Sequence, residues 1–314
     1  MGKDIANKEN CKGFWENNFS DQQKKLKMSR KKYFSRGIAI QLVKKNPDSP
    51  LVKSYRNTLF CSSVMIERPL PSGGARFEAQ RCKNRWCPLC QSIRIANLIR
   101  GYLPQIDNFA EPYFVTLTRP TVPYDELESQ HKMMMSAWTK VRNTIAFRSH
   151  DWCGLHKREC TIRPDGKYHY HFHIIVNKKE AADFIVKRWL LLNPDSRPQG
   201  QDMRPVTTKG DFIDIFKYFT KLVVINGKNE RWMDYKRLDL VMQFMRGKRV
   251  FQPFGGLKAV PEDNDEPLLQ TSESDDIYPK IWRWATNDWI NPDTGEEFSG
   301  YVPSESIVRL ICGE

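Results

Sequence analysis

The sequence predicts an α+β protein with a central antiparallel sheet and helices packed on one of its faces. Three observations predict it. Tyr168–Val176 alternates histidine with apolar residues, so His169, His171 and His173 share one face and Tyr170, Phe172, Ile174 and Val176 the other. Pro164-Asp165-Gly166 is turn chemistry that folds Gly154–Arg163 back onto that strand. Helical spacing in Asp125–Phe147, Lys178–Leu192 and Asp211–Val224 flanks these strands.

The elements follow in order. Residues 1–57 are polar and basic, with Lys24, Lys25, Lys27, Arg30, Lys31 and Lys32 clustered, and read as a disordered or helical arm. Leu59–Ile66 and Ala75–Gln80 form a hairpin around a Pro/Gly turn. Ile93–Leu103 is helical and Tyr113–Thr118 is a strand. Asp202–Thr207 is a short strand before the Asp211–Val224 helix, whose apolar face holds Phe212, Ile215, Phe216 and Phe219. The expected segments are a basic arm (1–57), a zinc-ribbon-like cysteine module (58–100), a main α+β domain of ferredoxin- or RRM-like kind (101–260) and an acidic segment (261–314).

Formal net charge is +13 over 314 residues, unevenly spread. Residues 1–260 hold 47 Lys+Arg against 24 Asp+Glu, while 261–314 hold 3 against 13. The basic part implies a polyanionic partner, nucleic acid first. The acidic end reads as a solvated segment or a screen over the basic face. No apolar run approaches the ~20 residues of a membrane span, and no apolar signal region opens the chain. A cytoplasmic location with reduced cysteines is therefore expected, where metal binding outweighs disulfides.

Two constellations carry metal chemistry. Cys87 and Cys90 form a C-x2-C pair, Cys82 precedes them, and Cys61, placed on the first hairpin strand, is the natural fourth ligand of a structural Zn²⁺. Lys83 and Arg85 lie inside this knuckle, where Arg85 and Trp86 either contact nucleic acid or pack the knuckle. The second constellation is the histidine strand, because imidazole is a common metal ligand. A three-residue turn pairs Arg163 with Lys167. Thr161 then faces His169, Glu159 faces His171 and Lys157 faces His173, which puts Glu159 on the histidine face. Asp214, Tyr218 and Lys221 are spaced to line up on successive helical turns.

Taken together, residues 58–260 resemble the HUH-type nicking endonucleases, and among them the replication initiators of rolling-circle plasmids. Phe114–Thr118 is similar to that family's first strand, and His171-Phe172-His173 to its histidine–hydrophobic–histidine motif. Tyr218-Phe219-Thr220-Lys221 is similar to its Tyr-x-x-Lys motif, and Cys82, Cys87 and Cys90 to a cysteine cluster in one branch. Met245–Lys258, with Arg249, resembles a C-terminal family segment. The resemblance implies a site holding Mn²⁺ or Mg²⁺ on His171, His173 and Glu159, with His169 as a further ligand or as a residue orienting one. It implies Tyr218 as nucleophile, Lys221 as its electrostatic partner and Asp214 as a terminating base. One departure stands out: initiators of this kind usually carry glutamate where Asp214 stands. The implied substrate is single-stranded or hairpin-extruded plasmid origin DNA, with contacts from Lys83, Arg85 and Arg249, and the implied partners are a host helicase and polymerase. The rivals are a conjugative relaxase or single-tyrosine transposase of the same chemistry, and a non-catalytic zinc-ribbon DNA-binding protein.

Overall fold

The structure is a computed structural model of the chain, and it describes residues 19–216, 224–225, 231–262, 267–272, 274 and 278–312. In chain order its elements are α1 (Asp21–Lys45), α2 (Val52–Leu59), β1 (Val64–Pro69), β2 (Ala75–Ala79), α3 (Pro88–Ile106), β3 (Tyr113–Thr118), α4 (Tyr124–Arg142), α5 (Ile145–Arg148), β4 (Gly154–Ile162) and β5 (Tyr168–Val176). There follow α6 (Lys179–Leu192), β6 (Asp202–Pro205), α7 (Lys209–Asp214), β7 (Val224–Ile225), β8 (Arg231–Trp232), α8 (Tyr235–Met245), β9 (Phe251–Phe254), β10 (Leu269–Gln270), β11 (Lys280–Trp284), β12 (Trp289–Ile290) and α9 (Glu305–Cys312). Two compact units result: residues 1–47, 52–93 and 263–314 form the first, and 48–51 with 94–262 the second.

The first unit departs from the sequence-based segments. Its antiparallel sheet runs β10-β2-β1-β11-β12, so strands from the acidic end flank the hairpin on both sides. That end is built into the sheet because it carries Trp282, Trp289 and Phe298, which join Met65, Phe77 and the cysteines in one buried cluster. Of its carboxylates, Asp288 is buried and saturated. It accepts from Ser29 Oγ (2.6 Å), the amides of Trp289, Ser299 and Gly300, and Ser299 Oγ. The basic arm is a long helix from Asp21 onward. Ser20 and Gln23 cap its N-terminus reciprocally, with Asp21 in the first turn and Lys44 and Lys45 in the last. A second helix, α2, runs through Leu59, and a turn over 60–63 takes the place of the start of the expected Leu59–Ile66 strand.

The second unit is an antiparallel sheet in the order β6-β3-β5-β4-β9, with β5 central. The β4–β5 register pairs Thr161 with His169, Glu159 with His171 and Lys157 with His173, as the turn arithmetic predicts. Gly166 makes the turn possible, since its φ of +81° lies in the left-handed region. Helices α4, α6 and α8 cover one face: Trp138 lies against His156, Trp189 against Phe172, and Phe244 against Tyr170. These contacts bury the apolar side of β5 and turn its histidines to the opposite face.

Candidate metal centres

Cross-strand pairing assembles the histidine site. Thr116, His173, Lys157 and Phe251 are successive Cα partners across β3, β5, β4 and β9, and Thr118, His171 and Glu159 form the neighbouring row. Glu159 Oε2 lies 3.3 Å from His173 Nε2, 3.8 Å from His171 Nε2 and 3.0 Å from Lys157 Nζ. Lys157, Glu159 and His171 are buried, while His173 reaches the surface.

Each imidazole is anchored through Nδ1. His171 Nδ1 lies 3.1 Å from the His169 carbonyl, which can only accept, so that nitrogen carries the proton and the Nε2 lone pair points toward the carboxylate. His173 Nδ1 lies 3.2 Å from Thr116 Oγ1, a hydroxyl that serves either tautomer. Burial drives the His171 pKa down to about 3 against the upward pull of Glu159, so His171 is neutral near pH 7. Burial also works against charge on Glu159. The hydrogen bond from His173 and the charge of Lys157 outweigh it and hold the carboxyl at about 2. Glu159 Oε1 is buried and has no hydrogen-bond partner among the described residues. Two imidazole Nε2 atoms, an ionised carboxylate and a carboxylate oxygen without a hydrogen-bond partner among the described residues are a donor set that fits a divalent cation.

Among the remaining predicted residues, His169 stacks on His171 at 4.7 Å but lies outside the convergent trio. Asp214 is the last residue of α7. Tyr218 and Lys221 lie outside the described residues. Lys83 and Arg249 are exposed and Arg85 is half-buried. Trp86 is buried edge-on against Tyr55 at 4.9 Å, so it packs the knuckle.

The four cysteines converge in the first unit. Sγ separations are 3.5 Å for Cys61–Cys90, 3.7 Å for Cys82–Cys90 and 3.9 Å for Cys61–Cys87. Four sulfurs around one zinc at ~2.3 Å sit about 3.8 Å apart, so the cluster has the right size. Cys61 occupies a turn after α2, just before Ser62 at φ +54°, and so does not stand on a hairpin strand as the sequence predicts. The hairpin strand begins three residues later because α2 runs through Leu59. Cys87 immediately precedes α3 and Cys90 lies in its first turn. Helix α1 contributes two residues that sequence reasoning missed. Ser35 Oγ lies 3.0 Å from Cys87 Sγ, and the buried Lys32 ammonium donates to the Leu59 and Cys61 carbonyls. Lys157 was legible only as the partner of His173, and no role followed from that.

Residues 75–185, from β2 into α6, match the family model described as "Replication protein". The chain resembles replication proteins of the Rep family. A "Protein rep" from Staphylococcus aureus is 32% identical over 116 residues, which are 34% of this chain and 50% of that protein. The chain thus spans half the length of this curated relative. No solved structure matches. The Rep-like stretch contains Cys82, Cys87, Cys90, Glu159, His171 and His173. Cys61, Asp214, Tyr218 and Lys221 fall outside it. No helix of the described residues is long and apolar enough to cross a membrane.

Proposed function

We propose that this chain is a plasmid rolling-circle replication initiator that nicks one strand of its origin with Tyr218, on an HUH-type sheet. The observation that carries the reading is the convergence of Glu159, His171 and His173 on one sheet face within the Rep-like stretch. A divalent cation, Mn²⁺ or Mg²⁺, would supply stabilisation of the charge that develops on a phosphodiester under attack.

The chain's own residues would do the rest. The Tyr218 oxygen attacks phosphorus, the 3′ oxygen leaves, and a 5′-phosphotyrosine and a 3′-hydroxyl primer result. Lys221 pairs with the phenolate or the phosphate. Asp214 takes the proton from the water or hydroxyl that later releases the covalent bond. Chain connectivity supports bringing Tyr218 to this face. Phe216, two residues earlier, stacks at 5.6 Å on Phe251, the Cα partner of Lys157. The four cysteines would hold a structural Zn²⁺ in a zinc-ribbon-like module. Lys83, Arg85 and Arg249 would meet origin DNA, and a helicase and polymerase would use the exposed primer.

The test is incubation with single-stranded hairpin origin DNA and Mn²⁺. A covalent protein–DNA adduct is expected, absent in Tyr218→Phe and after chelation by EDTA. An undiminished adduct in Tyr218→Phe overturns the assignment.

A further inference from the structure

We propose that Lys157 tunes the Glu159–His171–His173 site toward a phosphodiester and away from a bare cation. This rests on the reading above that the site serves phosphodiester chemistry. The observations are geometric. Lys157 is 1% exposed and its ammonium lies 3.0 Å from Glu159 Oε2, the same oxygen that faces both imidazole Nε2 atoms. A ligand oxygen of the site is therefore already shared with a fixed positive charge.

The charge count gives the consequence. The Lys157 ammonium offsets part of the attraction that the Glu159 carboxylate exerts on a cation. A divalent cation then meets a weaker pull than the same carboxylate would exert without the ammonium, in a place where burial weakens screening. A phosphate anion at the same opening is drawn by the lysine as well as by the cation. Lys157 thus weakens one ligand and strengthens the other. A lysine that merely propped Glu159 in position would strengthen the cation, so the sign of the effect separates the two roles.

Mn²⁺ binding to the full-length protein, followed by electron paramagnetic resonance, reads the first arm. Binding of a short single-stranded oligonucleotide to the Tyr218→Phe protein, without metal, reads the second. Lys157→Met should tighten Mn²⁺ binding at least about threefold and weaken oligonucleotide binding by a similar factor. Glu159→Gln tests the same logic from the other side: Mn²⁺ affinity should fall about tenfold or more while metal-free oligonucleotide binding strengthens. Weaker Mn²⁺ binding in Lys157→Met, or weaker metal-free oligonucleotide binding in Glu159→Gln, overturns the proposal. If Mn²⁺ binding is indifferent to His171→Ala and His173→Ala, the reading of the site as a metal centre falls too. If those variants lose Mn²⁺ and Lys157→Met gains none, only the role of Lys157 falls.

Discussion

The two candidate metal centres solve opposite problems. In the first unit four cysteines surround a point, three of them buried, with Lys32 and Ser35 closing over them from α1. Four thiolates fill a tetrahedral shell and leave no position for a substrate. In the second unit two imidazoles and one carboxylate share a sheet face, and His173 opens to the surface. Three ligands leave room for a further group. Each centre also has a buried lysine, used differently. Lys32 bonds backbone carbonyls around Cys61, whereas Lys157 bonds the Glu159 carboxylate of the convergent trio itself. A closed shell of soft ligands suits holding a fold together, and an open shell of harder ligands suits chemistry on an anion.

The largest effect expected from this contrast is on folding. Structural zinc contributes on the order of 10 kcal/mol to small metal-dependent folds. Cys87→Ser should therefore abolish cooperative unfolding of the first unit, seen by calorimetry, while His171→Ala leaves both units folded. Equal destabilisation by the two variants would break the contrast. Next comes strand cleavage: His173→Ala should lower the nicking rate at least ~100-fold, with Thr116→Val, which removes the Nδ1 partner, costing about 10-fold. Lys32→Met should lower zinc retention about 10-fold, read by transfer to a chromogenic chelator.

Acid should separate the units as well. All six histidines lie in the second unit. His156 is wholly buried between Trp138 and Phe172, and burial holds its pKa well below the ordinary value. Burial likewise lowers His131 to about 4. The unfolded chain takes up protons below pH ~6.5 that these folded histidines refuse, so stability is full above that pH and falls as pH drops toward 4. Denaturant midpoints between pH 7 and pH 5 should fall for the second unit and change less for the first. A second unit that gains stability on acidification would contradict this. The smallest effect is at the turn: Gly166→Ala forces a side chain into a left-handed conformation, at a cost of about 1 kcal/mol in the same experiment.

The second unit was the more legible in sequence, for a physical reason. Strand periodicity of two and a turn needing one left-handed residue fix register from local information alone, so Glu159 could be placed opposite His171 before any coordinates. The first unit hides its logic. Helix α1 buries Met28, Ser29, Lys32, Ser35, Ile38, Ala39 and Leu42 along one side, and three of these are polar. They sit there for Asp288, the Cys61 carbonyl and the Cys87 sulfur, so hydropathy alone sees no amphipathic helix. Net charge likewise conceals that the acidic end brings three tryptophans to a sheet: Trp282, Trp284 and Trp289. The convergence of Cys61 was predicted and its placement was not, because a turn after an unforeseen helix brings it to the cluster.

Anomalous diffraction from crystals grown with zinc and soaked in Mn²⁺ tests the account most directly. It predicts a zinc peak centred among Cys61, Cys82, Cys87 and Cys90, and a separate manganese peak bounded by Glu159, His171 and His173. Manganese bound elsewhere, with that trio empty, would contradict it.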